Sequence, residues 1–293
     1  MSRFRLGILT DEVSQDLREA IAFAKHFGLQ ALELRSVDNQ LLHQMEEGAI
    51  EDIRLLVEQS GLSICGLSAP IFKCELDVEE ELGSHIAIAQ QYIAIAQRLN
   101  VSLIRGFSFW ARDPFEEALP RIVSQIKQIA PYFEQAGITF VLEFDPSVYA
   151  SNARKVARIV DEVGSPAVKA LYDPGNDLWD PDGELPYPDG YDFLESRIRH
   201  IHLKDAMKSD AGIEAVAIGS GQVDYRGLFR RLLDTGYDGY LVVETHYRLH
   251  SVLTEEQLKR PMGASFSDGG LEASEQSVRS LLDLLREVGA YET

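Results

Sequence analysis

Four side chains that commonly bind metal ions stand at the ends of four successive apolar runs in the second half of the chain. They are Glu143 in VLEF, Asp173 in LYD, His202 in HIHLK and Glu244 in VVET. Three carboxylates and one imidazole suit Mn²⁺, Mg²⁺, Co²⁺ or Zn²⁺, and a buried carboxylate is costly unless it is paired or binds a metal. We therefore expect one divalent metal ion on these four residues rather than four unrelated ion pairs.

Two histidines compete for the imidazole position in the seventh apolar run. His200 and His202 are two residues apart, so both point to the same face of a strand. His202 lies nearer the end of the run, beside Lys204 and Asp205. We expect His202 to be the metal ligand and His200 to be packed in the interior.

Eight short apolar runs rich in β-branched residues are the elements that must position these side chains. The runs begin at Phe4, Gln30, Leu62, Val101, Ile138, Val168, Arg199 and Gly239. Each run is continuous rather than alternating, as expected for parallel strands that are covered on both faces. Amphipathic helical patterns separate the runs, and several of them end at a glycine, which suits the left-handed turn after a helix.

This alternation predicts an α/β protein, a single (β/α)8 TIM barrel with eight parallel strands over residues 1–293. Active sites of such barrels form at the carboxyl ends of the strands, where the four expected ligands would meet. An open doubly wound sheet has less support because no GxGxxG follows the first strand. A Pro- and Gly-rich stretch, DPDGELPYPDGYD, is expected to be a loop between strands six and seven.

The charge and composition exclude several classes of partner. The chain has 47 acidic against 28 basic residues, a net charge of -19, which repels nucleic acid and anionic membranes. No apolar run approaches the roughly 18 residues of a membrane span. The two cysteines cannot define a disulfide framework. We expect a cytoplasmic protein that binds neither nucleic acid nor membrane.

Five motifs in a fixed order carry a resemblance to a known family. VLEFD, LYDPGN, HIHLKD, GSGQVDY and GYLVVE resemble the xylose isomerase-like barrel superfamily, which includes sugar isomerases and epimerases, inosose dehydratases and a branch of apurinic endonucleases. The resemblance implies the same metal ligands, Glu143, Asp173, His202 and Glu244, and a small carbohydrate substrate. GSGQVDY resembles a structural turn of that superfamily more than a phosphate-binding loop.

The chain also departs from that superfamily at several positions. Phe144 and Asp145 stand where relatives often have Asn-His, and Asn176 replaces a histidine that contacts substrate in ketose epimerases. Strands three and four are expected to end at Ser68 and Gly106, without the histidines that bind extra metals in the endonuclease branch. The departures therefore favour one metal rather than three.

Five further residues are candidates for substrate contacts, namely Arg105, Trp110, Asn176, Lys204 and His246. Arg105 could bind a hydroxyl or carboxylate, or form an ion pair at the barrel rim. Lys204 could stabilise developing negative charge, or pair with Asp205 or another acid nearby. Trp110 could stack on a sugar ring or pack in the core. His246 would reach the substrate only if its loop folds inward.

Four charged residues near the ends of strands one and two are expected to have structural roles. Asp11 and Glu12 are predicted to begin a helix, where acids suit the N-terminus. Glu33 and Arg35 are predicted to pair with each other or with neighbours.

The expected function is that of a metal-dependent isomerase or epimerase of a sugar or sugar phosphate, which acts through an enediolate with Glu143 and Glu244 as acid and base. An inosose-type polyol dehydratase on the same metal, which is a lyase, is the first alternative, and a non-catalytic sugar-binding barrel is the second. The long loop after strand eight, about 245–270, favours a lid or oligomer contacts, so a homo-oligomer stays open.

Overall fold

Eight parallel strands close into a barrel in the computed structural model of the chain, which describes residues 2–210 and 212–291. The strands are β1 Arg5–Leu9, β2 Ala31–Leu34, β3 Ser63–Ile71, β4 Leu103–Gly106, β5 Thr139–Glu143, β6 Val168–Tyr172, β7 Ile198–Leu203 and β8 Tyr240–Val243. Each strand pairs with the next in the chain, and β8 pairs with β1 to close the barrel. The predicted TIM barrel is confirmed.

The strands are buried on both faces, which explains their unbroken apolar runs. Every residue of β2 and of β4 is buried. Leu103, Val141 and Leu171, from three adjacent strands, form a small cluster apart from the main core. The residues beside them in sequence, such as Ile104 and Phe140, belong to the core that includes the helices. Alternate residues therefore fill the inside of the barrel and its helical coat.

Seven long helices surround the barrel in the described residues. They are α1 Leu17–His26, α2 Glu47–Ser60, α3 Glu79–Leu99, α4 Phe115–Ala136, α5 Ala153–Val163, α6 Tyr225–Thr235 and α7 Gly270–Glu287. In α5, Val156, Val160 and Val163 share the buried face at helical spacing. The side chain of Asn152 caps its first turn, and Gly164 ends it in the left-handed conformation. No helix of residues 2–210 or 212–291 combines the length and apolarity needed to cross a bilayer.

The connection from β6 to β7 departs from strict alternation. Short helical segments Pro174–Asp177, Pro186–Gly190 and Tyr191–Leu194 replace a full helix there. This is the Pro- and Gly-rich stretch that the sequence predicts as a loop, since proline supplies no backbone N–H for a continuous helix. The hydroxyl of Tyr172 donates a hydrogen bond to the carbonyl of Pro186 and ties the segment to the barrel.

Two further structures lie on the carboxyl face of the barrel. A hairpin of Asp205–Ser209 and Gly212–Val216 follows β7. The long loop after β8 contains short helices at Glu255–Lys259 and Ala264–Ser267, so it is more ordered than the sequence indicated. The side chain of Asn39 accepts a hydrogen bond of 2.6 Å from the N–H of Ala264, which fastens this loop to the segment after β2.

Replacing Gly106 by alanine is expected to destabilise the barrel by about 1–3 kcal/mol because of overpacking. An added Cβ would overlap the ring of Phe140 and lie 3.1 Å from the Cβ of Ile71. Urea unfolding followed by circular dichroism measures the change. Gly83→Ala is the control: that glycine lies within α3 with open space around it, and alanine there should stabilise the protein by about 0.5–1 kcal/mol. Equal effects at both positions would contradict the packing argument.

Candidate metal centre and active site

The carboxyl ends of β5, β6, β7 and β8 bring together the four residues expected to bind a metal. Glu143, Asp173, His202 and Glu244 are all buried, and one ligand atom from each lies within 4.8 Å of the others. His202 Nδ1 is 3.5 Å from Glu143 Oε1 and 3.3 Å from Glu244 Oε2. The two glutamates therefore face the same imidazole nitrogen, one from the end of β5 and the other from the residue after β8.

Glu33 fixes the orientation of the His202 ring from the opposite side. Both of its carboxylate oxygens lie 3.1 Å from His202 Nε2, and one is 2.7 Å from His200 Nε2. Ser68 Oγ donates a further hydrogen bond of 2.6 Å to Glu33. A carboxylate behind a histidine is the usual support of a metal-binding imidazole, and it directs Nδ1 toward Glu143 and Glu244.

Two buried polar atoms in this group make ion-pair contacts but no well-formed hydrogen bond. They are His202 Nδ1, which faces Glu143 and Glu244, and Asp173 Oδ2, which faces Lys204. Buried polar atoms are rarely left without a hydrogen bond unless an ion or water supplies the partner. Since both belong to residues of metal-binding type and lie in the same group, the residues present fit a divalent cation.

The balance of buried charge supports the same fit. Within residues 2–210 and 212–291, six carboxylates and four basic side chains form one connected buried network around the group, joined in part through His202. When these ten groups are ionised and the histidines are neutral, as a metal-bound imidazole is, the network has an excess of two negative charges. The acids are Asp11, Glu12, Glu33, Glu143, Asp173 and Glu244, and the bases are Arg35, Arg105, Lys204 and Arg248. Uncompensated buried charge is costly, and a divalent cation would compensate this excess.

The pKa values in the group follow from the same charges. Burial alone would lower the pKa of His202, but Glu33 and Glu244 outweigh it and raise that pKa well above its usual value. Burial raises the pKa of Asp173, and the charges of Glu244 and Glu143 raise it further, while Lys204 opposes them. The pKa values of His202 and Asp173 are both raised for one reason, which is the concentration of negative charge in a buried site.

Lys204 is held in the centre of the site. Its Nζ is 2.9 Å from Asp173 Oδ2 and 2.9 Å from Glu244 Oε2. Burial alone would lower the pKa of Lys204, but these two carboxylates raise it above its usual value. Tyr225 Oη donates a hydrogen bond of 2.6 Å to the Lys204 carbonyl. Lys204 therefore pairs with two of the expected metal ligands and not with Asp205.

Asp205 instead organises the GSGQVDY turn. Its two carboxylate oxygens accept hydrogen bonds from the backbone N–H groups of Ala206, Gly219, Gly221 and Val223. Three of those N–H groups belong to the turn, so they are not free to bind a phosphate. The turn therefore has the structural role that its sequence suggests.

Two arginines extend the network to the first half of the barrel. Arg105 Nε is 3.1 Å from Glu143 Oε2, and Arg35 Nη1 donates a hydrogen bond of 2.8 Å to Glu244 Oε1. Arg35 also contacts Asp11 and Glu12, which form a buried 3-10 turn after β1. Asp11 and Glu12 do lie in a short helical turn, as expected, but their carboxylates also pair with the buried Arg35, which the helix expectation did not include.

Asp11, Glu12 and Arg35, which follow β1 and β2, therefore belong to the site, although only structural roles were expected for them. The sequence did contain a signal for them, because they are charged residues at strand ends, the same pattern that identified Glu143 and Glu244. Arg248, on the loop after β8, lies 3.4 Å from Glu12 and had no such signal.

Four of the five candidate substrate contacts line a cavity of about 870 Å³. They are Trp110, Asn176, Lys204 and His246. Asn176 Nδ2 donates a hydrogen bond of 2.8 Å to the Phe144 carbonyl, and His246 Nδ1 is 3.3 Å from Lys204 Nζ. This volume accommodates a small carbohydrate. Arg105 lines a separate cavity of about 290 Å³.

Two other groups of potential ligands occur in the described residues. Glu33, Cys65 and His200 form one, and Glu12, Glu244 and His246 form the other. Burial raises the pKa of the Cys65 thiol well above its usual value, which disfavours the thiolate that a metal requires. Glu12 is paired with two arginines, Arg35 and Arg248, and each of these groups has three members, whereas the group of Glu143 has four. The group of Glu143 is therefore the best candidate.

Comparison with known proteins agrees with this fold. The family model of the xylose isomerase-like TIM barrel matches residues 21–287. The chain belongs to the xylose isomerase-like TIM barrel family. The resemblance seen in the five motifs is thus confirmed.

Individual members of the family differ in their reactions. The chain is 24% identical to an inosose dehydratase from Geobacillus thermodenitrificans over 194 residues, which is 60% of this chain and 62% of that protein. It therefore spans less than two thirds of that relative's length. It is 24% identical to a fructoselysine 3-epimerase from Shigella flexneri over 211 residues, 68% of this chain and 74% of that protein.

A solved structure of the family has closely similar architecture. The IolI protein with a bound zinc atom superimposes with a TM-score of 0.74, at 16% identity, and the match covers 99% of this chain and 100% of that one. At this identity the likeness concerns the fold.

Replacing Glu33 by glutamine is expected to weaken metal binding about 10- to 100-fold, because the carboxylate that orients His202 is lost. Titration calorimetry of Zn²⁺ and Mn²⁺ into chelator-treated protein measures the affinity. Glu51→Gln, at an exposed position of α2 paired only with Arg54, should leave the affinity unchanged. His202→Ala should remove the site. Unaltered affinity in both the Glu33 and His202 variants would place the metal elsewhere.

Proposed function

We propose that this protein is a divalent-metal-dependent enzyme that epimerises or isomerises a small sugar or polyol by moving a proton at the carbon beside a carbonyl. The observation that carries the proposal is the pair of carboxylates, Glu143 and Glu244, that face His202 Nδ1 from 3.5 and 3.3 Å. Two carboxylates at one centre can remove a proton and return it. The similarity to fructoselysine 3-epimerase supports this reaction class.

Glu143, Asp173, His202 and Glu244 would hold the metal. When bound, a divalent ion supplies Lewis acidity that polarises a substrate carbonyl. The zinc in the IolI protein supports a divalent ion at this kind of site, and Mn²⁺, Mg²⁺ and Co²⁺ suit the same donors.

The two glutamates have unequal surroundings, which suggests different roles. Glu244 contacts both Arg35 and Lys204. Burial alone would raise the pKa of Glu244, but Lys204, His246 and His202 hold it well below its usual value. A carboxylate with a lowered pKa is the weaker base and, once protonated, the stronger acid. We therefore assign removal of the proton to Glu143, whose contact with a cation is to Arg105. Glu244 is ionised at the start, so it would return a proton to the carbon only after it has taken one from a substrate hydroxyl or from solvent.

Lys204 would stabilise the negative charge that develops on the substrate oxygen when the proton leaves. Its ammonium lines the large cavity and is held between Asp173 and Glu244. Charged donors fixed in advance at the site of developing charge are a major source of catalysis.

Dehydration of a polyol ketone is the second candidate. The similarity to inosose dehydratase favours it, as does the ammonium of Lys204, which could assist departure of a β-hydroxyl. The same proton removal by Glu143 would then be followed by loss of water rather than by return of the proton.

The proposal is tested by exchange of carbon-bound hydrogen with solvent. Metal-loaded protein is incubated in D2O with a panel of ketoses and inososes, and proton NMR follows loss of the signal at the carbon beside the carbonyl. Glu143→Gln should reduce the exchange rate about 10²- to 10⁴-fold, the usual contribution of a general base. Glu162→Gln, an exposed position on α5, should exchange at the unaltered rate.

The products separate the two reactions. An epimer or isomer keeps the mass of the substrate, whereas a dehydrated product loses water and gains ultraviolet absorbance. Full exchange in a Glu143→Gln variant that still binds metal would exclude Glu143 as the base. Absence of exchange with every substrate of the panel would favour a non-catalytic sugar-binding barrel.

A further inference from the structure

The smaller cavity, about 290 Å³, has an unusual charge for this protein. Its charged lining consists of basic residues: Arg35, Lys73, Arg105, Lys259 and Arg260. Among the residues that the structure describes, no aspartate or glutamate lines it. The whole chain carries 47 acidic against 28 basic residues. A cavity whose charged lining is entirely basic therefore contrasts with the acidic composition of the chain.

Three of these cations, Arg35, Lys73 and Arg105, are buried at its wall. The exposed fraction of the side chain is 7% for Lys73 and 4% for Arg105. Lys73 Nζ lies 4.3 Å and the Arg105 guanidinium carbon 4.4 Å from the centre of the Phe107 ring. Burial lowers the pKa of Lys73, and Arg105 lowers it further although Asp145 opposes them. Each of these two cations has one carboxylate partner, Asp145 for Lys73 and Glu143 for Arg105, and an anion between the two cations would stabilise both further.

The donors of these cations are not equally occupied. Arg35 directs its guanidinium nitrogens at Asp11, Glu12 and Glu244, so it has little capacity for a ligand. Arg105 contacts Glu143 through Nε, and its Nη1 makes only a long hydrogen bond of 3.5 Å to the carbonyl of Ala69. Arg105 is therefore the better partner for an incoming group.

Lys73 keeps part of its capacity as well. Its Nζ contacts Asp145 Oδ2 at 3.2 Å and the Lys259 carbonyl at 3.0 Å, which uses two of the three donors of an ammonium group. Lys259 and Arg260 bring two more cations from the loop after β8. The polar lining also includes Gln44, Ser68 and two histidines, His43 and His85, whose pKa values are lowered by burial.

The cavity adjoins the candidate active site. Arg105 touches Glu143, and Arg35 touches Glu244, so the wall of the small cavity is also the outer support of the two carboxylates. Lys259 and Arg260 line both the small and the large cavity. A molecule held at the carboxylates could thus extend one end into the basic cavity.

We propose that the small cavity binds an anionic group of the substrate, a carboxylate or a phosphate, through Arg105 and Lys73, with Lys259 and Arg260 closing over it. This inference rests on the proposed function and narrows it: the substrate is an acidic sugar or a sugar phosphate rather than a neutral sugar. Guanidinium and ammonium groups are the side chains that bind both anions by charge-assisted hydrogen bonds. The volume suits a terminal anionic group with a short piece of carbon chain.

Equilibrium binding tests the inference without requiring turnover. Titration calorimetry on the metal-loaded full chain compares D-fructose, D-fructose 6-phosphate and 5-keto-D-gluconate at constant ionic strength. At least one acidic probe should bind about tenfold or more tightly than D-fructose, and the tighter of the two identifies phosphate or carboxylate. Equal or tighter binding of the neutral ketose, or no binding of either acid, overturns the inference.

Variants locate the anion. Arg105→Gln and Lys73→Gln should each lower the affinity for the acidic probe about tenfold. Arg226→Gln is the matched control, since Arg226 is exposed, pairs with Glu287 and lines neither cavity. Inorganic phosphate added to the unmodified protein gives a measurement independent of folding defects: it should compete with the acidic probe. Absence of competition together with unchanged affinity in both variants would refute the site.

The anion site and the proposed proton-transfer reaction can be refuted independently of each other. Hydrogen exchange with a neutral ketose, together with no preference for acids, would retain the enzyme and remove the anion site. Tight, Arg105-dependent binding of an acid that shows no exchange would retain the anion site and remove the proton-transfer reaction.

Discussion

Buried negative charge at the carboxyl end of the barrel is the constraint on which the rest of the site depends. Six carboxylates are removed from water there, and four permanent cations do not balance them. Each carboxylate is tolerated because a partner is fixed beside it by a strand or a strand end. The positions of Lys204, Arg35 and Arg105, the pKa of His202 and the fit to a divalent cation all follow from this requirement.

The same requirement connects distant parts of the chain. Glu33 on β2 supports His202 on β7, and Arg35 after β2 supports Glu244 after β8. The candidate ligands come from the second half of the barrel, whereas much of what orients them comes from the first. The closed barrel brings Arg35 and Glu244 close together, because β2 and β8 are both neighbours of β1.

The sequence was sufficient for the barrel and for the four residues brought together, because both depend on patterns local to each strand. Continuous apolar runs mark buried parallel strands, and a polar residue at a run's end must lie at the barrel rim. It was insufficient for Asp11 and Glu12, where a local helix rule predicted the turn but not the tertiary ion pairs. The basic cavity could not be predicted from the sequence, because its lining combines residues near strand ends with a loop that is distant in sequence. The Lys73–Lys259 hydrogen bond, for example, joins residues 186 positions apart.

The loop after β8 has a consequence for how such a protein can diverge. Lys259 and Arg260 contribute to both cavities, yet they belong to neither the strands nor the long helices that make up the core. Mutations in this segment can change which molecules enter while the residues that perform chemistry stay in place. Under the proposed function, selectivity and reactivity are encoded in separable stretches of sequence, so substitutions in the loop can alter the first without disturbing the packing of the barrel.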